Sequence, residues 1–204
     1  MTWAEIGSAR LENEHVALRP VRPEDREALR AIALDQRIWR YFIMRIDTDA
    51  EFDAFFDLGL RDQEAGTRVV YVIEDKLTGA VAGSMSFCGL MEKDGRLEIG
   101  WSWLGIDAQG KGINRWAKFL MMRLAFEEME AQRVEFKTDR LNVQARHALA
   151  NIGAREEGTL RSFNPMPDGR RRDAVFYSVL AAEWPEVKAQ LLARPKVMLA
   201  GAAP

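Results

Sequence analysis

The sequence has few of the residues that build metal centres and disulfides. It contains one cysteine, Cys88, and two histidines among 204 residues. A single cysteine cannot form a disulfide within the chain, and the two histidines are too far apart in sequence to show a metal-ligand spacing. The composition therefore predicts no intramolecular disulfide and no metal site.

The chain also lacks a charge excess and a long apolar run. Its 29 basic and 31 acidic residues leave a formal net charge of −2, so no general field attracts nucleic acid. No apolar run reaches the length of about 20 residues that spans a bilayer. The opening MTWAEIGSAR lacks the basic start and apolar stretch of a secretory signal. We therefore expect neither a nucleic-acid nor a membrane partner, and a cytoplasmic location.

Hydrophobic residues make up 48% of the chain, which at this length is enough to bury one substantial core. Strand-like patterns occur in residues 16–21, 67–75, 80–91, 96–105, 133–139, 158–164 and 173–181. Helical spacing or helix start and stop signals occur in residues 23–34, 48–60, 114–131, 142–154 and 183–193. The pattern predicts a single α+β domain in which residues 67–105 form an antiparallel meander.

Residues 109–114 read QGKGIN and lie between a strand pattern and the longest helical pattern. A loop that opens a helix exposes unpaired backbone N–H groups at the positive end of the helix dipole, and such a site attracts phosphate. Gly110 and Gly112 permit close approach or unusual dihedral angles, and Lys111 adds a positive charge. The P-loop motif and the three-glycine dinucleotide fingerprint are both absent. The pattern favours an anion-binding loop, although short glycine loops are also common plain connectors.

Two stretches, EIGWSWLGIDAQGKGINRWAK and RVEFKTDRLNVQARHALANIGAREEGTLR, resemble a known family. That family is the GNAT superfamily of acyl-CoA-dependent N-acetyltransferases, especially its Rim-type branch of ribosomal-protein N-terminal acetyltransferases. Its motif is Gln or Arg, two residues, Gly, one residue, then Gly or Ala; Gln109, Gly112 and Asn114 occupy these places, and Asn114 departs from the motif.

The resemblance extends over residues 12–193. It implies a GNAT-like domain there, with residues 1–11 as an N-terminal extension and residues 194–204 as a C-terminal tail. It also implies a mostly antiparallel central sheet of six or seven strands, flanked by helices and splayed at the CoA site.

The resemblance implies acetyl-CoA as cosubstrate and no metal. The pyrophosphate would lie on backbone N–H groups of the loop residues Gln109, Gly110, Lys111, Gly112, Ile113 and Asn114. The pantetheine arm would bond to exposed strand backbone at Trp103 and Leu104, like an added strand. Asn142 matches the family's asparagine that contacts pantetheine, and Arg146 lies where it could approach the phosphates.

Acetyl transfer to an amine needs a base for the ammonium proton and an acid for the departing thiolate. Glu98 resembles the base of several family members, and a salt-bridged structural glutamate fits the sequence equally well. The acid is unassigned, because Ala145 stands where relatives carry serine and a lone histidine such as His147 is usually a surface or packing residue. Cys88 has no evident adjacent base, which favours direct transfer in a ternary complex over an acyl-cysteine.

The reaction so implied is transfer of acetyl to a primary amine, either a protein N-terminus or a small molecule. In the family the region between the first helices borders the acceptor channel, which implies Trp39 and Phe42 as acceptor contacts, although aromatic side chains more often lie in a core. Two alternatives stay open, a longer acyl-CoA on the same fold and a non-catalytic acyl-CoA sensor, which Ala145 favours. The resemblance alone suggests a homodimer.

Overall fold

A single sheet of eight strands runs through residues 1–193. The computed structural model describes residues 1–193, and its strands are β1 (Leu11–Glu12), β2 (Val16–Pro20), β3 (Val69–Asp75), β4 (Val81–Met91), β5 (Arg96–Leu104), β6 (Arg133–Asp139), β7 (Arg155–Pro165) and β8 (Arg171–Leu180). Their order across the sheet is β1-β2-β3-β4-β5-β6-β8-β7. Every neighbouring pair is antiparallel except β5 with β6. The α+β fold with a mostly antiparallel sheet is therefore confirmed.

Helices cover both faces of this sheet. They are α1 (Trp3–Gly7), α2 (Arg26–Ala33), α3 (Asp49–Glu64), α4 (Ile113–Glu127), α5 (Val143–Asn151) and α6 (Trp184–Ala193). The start of α3 shows why the local sequence folds this way. The Thr48 hydroxyl accepts the N–H of Glu51, and the Glu51 carboxylate accepts the N–H of Thr48, which is a capping box. None of the helices described within residues 1–193 is long and apolar enough to cross a membrane.

Strand alternation divides the apolar residues between two cores. Successive side chains point to opposite faces of a strand, so Tyr71 and Ile73 of β3 face the core that contains α4, whereas Val70 and Val72 face the core that contains α3. The second core also contains Trp103 at the end of β5. The sheet thus separates two cores. One contains α4, the helix that follows the glycine loop, and the other is rich in aromatic side chains.

The sheet opens between β5 and β6. These two strands pair only from Arg96↔Arg133 to Glu98↔Glu135, although β5 continues to Leu104. Just beyond Glu98, the pairing of β5 with β4 is irregular and Trp101 has a φ of 51°. A bulge of this kind bends its strand. The predicted splay is therefore present, with its vertex at Glu98.

Residues 1–11 pack onto the domain, although the sequence suggested an extension. Trp3 of α1 is buried, and its Nε1 donates to the Met129 carbonyl at 2.8 Å. The hydroxyl of Tyr71 donates to the Gly7 carbonyl. Strand β1 adds to the edge of β2. The predicted tail, residues 194–204, lies outside the described residues.

The sheet has one more strand than the six or seven that the resemblance implied. All seven strand patterns of the sequence correspond to strands, and the additional one is β1. With only two residues, β1 is too short to display a periodicity of two. It exists because the backbone of Leu11 and Glu12 pairs with β2.

Candidate active site

The loop between β5 and α4 owes its shape to its two glycines. Gly110 has a φ of 76°, and Gly112, the N-cap of α4, has a φ of 82°. Glycine adopts such left-handed dihedral angles freely, whereas residues with a Cβ lose about 1–2 kcal/mol there. The glycines of QGKGIN are therefore needed for the backbone conformation that opens the helix.

The backbone N–H groups of Gly110, Lys111, Gly112, Ile113 and Asn114 donate to no acceptor within residues 1–193. The first hydrogen bond of α4 runs from the N–H of Trp116 to the Gly112 carbonyl at 3.1 Å. Five unpaired donors at the positive end of a 15-residue helix form a site for an anionic group. The site fits the pyrophosphate of CoA, and the exposed Lys111 adds positive charge at its rim.

Gln109 has a different role from the other loop residues. Its backbone N–H donates to the Ile106 carbonyl at 3.2 Å, so it is not a free donor for an anion. Its side-chain Nε2 donates to the Leu104 carbonyl at 3.1 Å, and its Oε1 accepts from Gln144 of α5 at 3.2 Å. The implied contact between the Gln109 N–H and phosphate is therefore corrected to a clamp that joins the end of β5, the loop and α5.

Asn114 lies in the first turn of α4 and holds a buried amine. Its Oδ1 accepts a hydrogen bond from Lys118 Nζ at 2.7 Å. Lys118 is 5% exposed, and burial lowers its pKa to about 7. The residue that departs from the family motif is thus the polar partner of a lysine inside the helix.

At the end of β5, backbone rather than side chain is available to a ligand. Trp103 and Leu104 pair on one side with Ser84 and Gly83 of β4, while pairing with β6 on the other side stops at Glu98. Both side chains are buried. This placement fits the role that the resemblance implies for Trp103 and Leu104, which is to offer backbone groups to an extended arm, and the Leu104 carbonyl already accepts a hydrogen bond from Gln109 Nε2.

Helix α5 brings Asn142 and Arg146 towards the open end of the sheet. Asn142 is the N-cap, and its Oδ1 accepts the N–H of Ala145 at 3.0 Å. The Arg146 guanidinium contacts the Tyr177 hydroxyl at 3.2 Å and Glu156 at 3.3 Å, and these contacts raise its pKa. Arg146 is therefore engaged with β7 and β8, so that a phosphate contact would require it to leave these partners.

Glu98 lies at the vertex of the splay with its carboxylate largely buried. Its Oε2 is 2.8 Å from Lys137 Nζ. A Cβ added at Gly100 would lie 2.8 Å from Glu98 Oε1, so the absence of a side chain there makes room for the carboxylate. Glu98 therefore forms a salt bridge, as the alternative interpretation of the sequence predicts. Its carboxylate also lies where the strands separate, so the base role stays a prediction.

Cys88 lies opposite Glu98 on β4 but is not activated as a nucleophile. Burial, together with the neighbouring Glu98 carboxylate, raises the pKa of the Cys88 thiol to about 12. Reactive cysteines instead have a lowered pKa, because the thiolate is the attacking form. The thiol environment therefore supports direct transfer rather than an acyl-cysteine.

The two aromatic residues implied as acceptor contacts differ in accessibility. Trp39 is 1% exposed, its Nε1 donates to the Ala33 carbonyl at 2.6 Å, and it packs against Phe55 and Trp103. The expectation of an acceptor contact at Trp39 is therefore corrected to a core role, because its ring is sealed by neighbours. Phe42 packs edge-on against Trp39 and is only partly buried, so it remains available.

Comparisons with known proteins show which family the chain resembles. Residues 15–155 match the family "Acetyltransferase (GNAT) domain". The chain is 30% identical over 178 residues to "Putative ribosomal N-acetyltransferase YdaF" of Bacillus subtilis (strain 168), covering 84% of this chain and 94% of that protein.

The chain belongs to the GNAT acetyltransferase family.

Solved GNAT structures share its fold. A GCN5-related N-acetyltransferase from Brucella melitensis has a TM-score of 0.84 at 26% identity, covering 91% of this chain and 85% of that one. Mycobacterium smegmatis RimJ, solved in complex with CoA-disulfide, has a TM-score of 0.75 at 24% identity, covering 91% and 92%. The chain is thus an acetyl-CoA-dependent acetyltransferase, and its similarity to YdaF confirms the resemblance to the Rim-type branch.

Sequence reasoning missed three charged residues in or near this candidate site. Lys137 pairs with Glu98, Lys118 lies under the loop, and the buried Arg68 donates to Ser86 Oγ at 3.2 Å on the aromatic face. Two of them left a signal in the sequence. Lys118 interrupts the apolar side of a helical pattern, and Lys137 alternates with Phe136 on a strand, which places it on the polar face.

Proposed function

We propose that this acetyltransferase transfers acetyl from acetyl-CoA to the α-amine of a protein N-terminus by direct attack in a ternary complex. The observation that carries the proposal is the set of five unpaired N–H groups from Gly110 to Asn114, directly after a strand whose edge is uncovered. Phosphate on the loop and an extended arm on that edge would direct the thioester towards Glu98.

Binding is assigned to backbone groups. The loop amides hold the pyrophosphate, and the exposed edge of Trp103 and Leu104 holds the pantetheine arm as an added strand would. Asn142, as the cap of α5, lies on the other side of the opening. When bound, acetyl-CoA supplies a thioester with an electrophilic carbonyl carbon.

Glu98 is proposed as the general base. An amine attacks only in its neutral form, so the ammonium proton must be removed, directly or through a water molecule. Lys137 holds the Glu98 carboxylate in place at the vertex, where the acetyl group and the acceptor would meet. The C–N bond forms as the C–S bond breaks, and no side chain is assigned as the acid for the departing thiolate.

The choice of a protein N-terminus as acceptor is supported by two considerations. The name of YdaF describes a ribosomal N-acetyltransferase. On the face opposite α4, the partly buried side chains of Phe42 and Trp101 line the aromatic core beside the splay. Such side chains suit the first residues of a peptide that reaches the thioester with its free amine.

A thiol-release assay tests the acceptor class. Purified protein and acetyl-CoA would be mixed with short peptides that have free N-termini, with the same peptides blocked at the N-terminus by formylation, and with small primary amines. We expect thiol release and N-acetylated product with the free peptides only. Release with small amines alone would refute the acceptor class, and release that occurs equally without any amine would refute transfer to an acceptor.

A further inference from the structure

A buried amine without a carboxylate partner lies one turn inside α4. Lys118 Nζ is 2.7 Å from Asn114 Oδ1 and 3.9 Å from Met85 Sδ. Within residues 1–193, no carboxylate oxygen lies within 4 Å of this amine. Lysine is rarely fully buried unless it is paired with an opposite charge. The contacts of Lys118 therefore give its amine one strong hydrogen-bond acceptor and would leave a positive charge there without compensation.

The amine lies beside the anion-binding end of the helix. Helical side chains lean towards the N-terminus, and Lys118 follows this rule because its amine contacts Asn114, whose own backbone N–H is one of the unpaired donors. One helical turn rises about 5.4 Å. Lys118 thus lies about one turn below the donors that face the loop, on the sheet side of α4.

Both burial and the helix dipole oppose a positive charge at this place. Burial lowers the pKa of Lys118 to about 7, and the positive helix end acts in the same direction. An anion on the loop would reverse the balance, because a negative charge about one turn away in a poorly screened interior favours the ammonium form.

We propose that Lys118 is a buried counter-charge for the CoA pyrophosphate and takes up a proton from solvent when the pyrophosphate occupies the glycine loop. This inference rests on the cofactor site in the proposed function. Asn114 accepts a hydrogen bond from the amine in either protonation state and so holds it near the loop. Asn114, which departs from the family motif, and Lys118 then act together in binding the pyrophosphate.

The surroundings of Lys118 contain few other titratable groups. The sheet strands packed on this side of α4 include two tyrosines, Tyr71 of β3, whose hydroxyl donates to the Gly7 carbonyl, and Tyr177 of β8, whose hydroxyl donates to Glu156. Between β1 and β2, His15 stacks on Trp116 of α4. Burial raises the pKa of Tyr71 well above its ordinary value, so it stays neutral near pH 8. From α6, Lys188 pairs with Glu127 at the far end of α4. The remaining charged residues of α4 are Arg115 and Arg123.

Calorimetry with CoA tests the proton uptake. CoA would be titrated into the full-length protein at pH 8 in two buffers of different ionisation enthalpy, which gives the number of protons taken up per CoA bound. A phosphate monoester has a second pKa of about 6, so CoA itself is almost fully ionised at pH 8. We expect uptake approaching about one proton in the native protein and none in Lys118→Met.

Lys111→Met is the matched control, because it removes a lysine that is exposed at the same loop. It should weaken CoA binding in a manner that salt screens, yet retain the proton uptake. Lys118→Met should bind CoA about tenfold more weakly at pH 7. Its affinity should also lose the decline with rising pH above 7 that the native protein shows.

The variant Lys118→Met should fold at least as well as the native chain, because methionine keeps the apolar stem and removes a buried amine. A thermal-unfolding measurement checks this point. CoA binding without proton uptake in the native protein, or with equal uptake in Lys118→Met, would overturn the inference and leave the proposed function standing. Absence of CoA binding by the native protein would refute the proposed function itself.

Discussion

At the scale of single residues, Glu98 and Cys88 lie opposite each other where the sheet opens, and their surroundings give the two side chains different chemistry. Glu98 keeps its carboxylate beside Lys137, at 2.8 Å, where the strands diverge. Cys88, directly opposite on β4, is held as a thiol by burial and by the same carboxylate. The carboxylate is therefore our candidate for the proton acceptor, and the raised thiol pKa supports a mechanism in which the sulfur does not attack.

Glu98→Gln tests the carboxylate as base. The change keeps the shape and removes the proton acceptor, so kcat should fall by about 10²–10⁴-fold while acetyl-CoA affinity stays unchanged. Steady-state kinetics over a range of pH, with calorimetry for acetyl-CoA, would measure both. Lys137→Met is the matched variant, because it breaks the same salt bridge but retains the carboxylate. Turnover and a pH profile equal to those of the native protein in Glu98→Gln would exclude the base role.

Cys88→Ala tests direct transfer. With a thiol pKa of about 12, Cys88 is almost entirely protonated at neutral pH, so its removal should change turnover by no more than about threefold. Intact-protein mass spectrometry after incubation with acetyl-CoA and no acceptor should show no acetyl adduct. An adduct that disappears in Cys88→Ala, together with lost turnover, would establish an acyl-cysteine instead.

At the scale of elements, the functional unit is the end of β5, the loop and the first turn of α4. The bulge at Trp101 bends β5, the splay exposes its edge, and Gly110 and Gly112 turn the chain so that α4 begins with unpaired N–H groups. Gln109 joins this unit to α5 through Gln144. Cofactor binding on this account depends on backbone conformation more than on side-chain chemistry.

A pair of glycine substitutions separates conformation from location. Gly110 and Gly79 have φ values of 76° and 72°, and a Cβ added at either would meet nothing within 4 Å. Gly110→Ala and Gly79→Ala should therefore each lower the free energy of unfolding by about 1–2 kcal/mol. Only Gly110→Ala should weaken acetyl-CoA binding, because Gly79 lies in the turn between β3 and β4. Equal affinities of the two variants for acetyl-CoA, measured by calorimetry, would show that the loop does not bind CoA.

Helices and strands could be predicted from the sequence where they are long enough to show a repeating pattern of apolar residues. The contacts between these elements could not be predicted. Residues 114–131 show helical spacing, and α4 occupies most of that range, whereas the five-residue α1 is too short for the pattern to appear. The loop could be predicted because its two glycines are separated by only one residue in the sequence. The pair of Glu98 and Lys137 was not, because it joins two strands across a long crossover. Burial of Trp39 likewise depends on distant packing partners such as Trp103.

At the scale of the whole molecule, one sheet lies between two cores, and the N-terminal segment packs against one of them. Trp3 of α1 is 7% exposed and belongs to the core that contains α4. Its indole N–H reaches the Met129 carbonyl, just beyond the end of α4. The N-terminal helix therefore supports the element that carries the loop. A homodimer remains a prediction from family resemblance.

Trp3→Ala tests the contribution of this segment. Loss of a buried tryptophan should lower the free energy of unfolding by about 3–5 kcal/mol, as measured by denaturant titration. Leu77→Ala, at a side chain that is 76% exposed, should change it by less than about 0.5 kcal/mol. If Trp3→Ala lowers the free energy of unfolding by less than about 1 kcal/mol, residues 1–11 contribute little to stability and are only an extension of the domain.

The most direct test of the central claim is a calorimetric titration of the native protein with acetyl-CoA, followed by thiol detection in the same samples with and without an amine acceptor. We predict saturable binding of one acetyl-CoA per chain and thiol release that requires the acceptor. Absence of acetyl-CoA binding would contradict the account, since the loop QGKGIN would then be no more than the connection between β5 and α4.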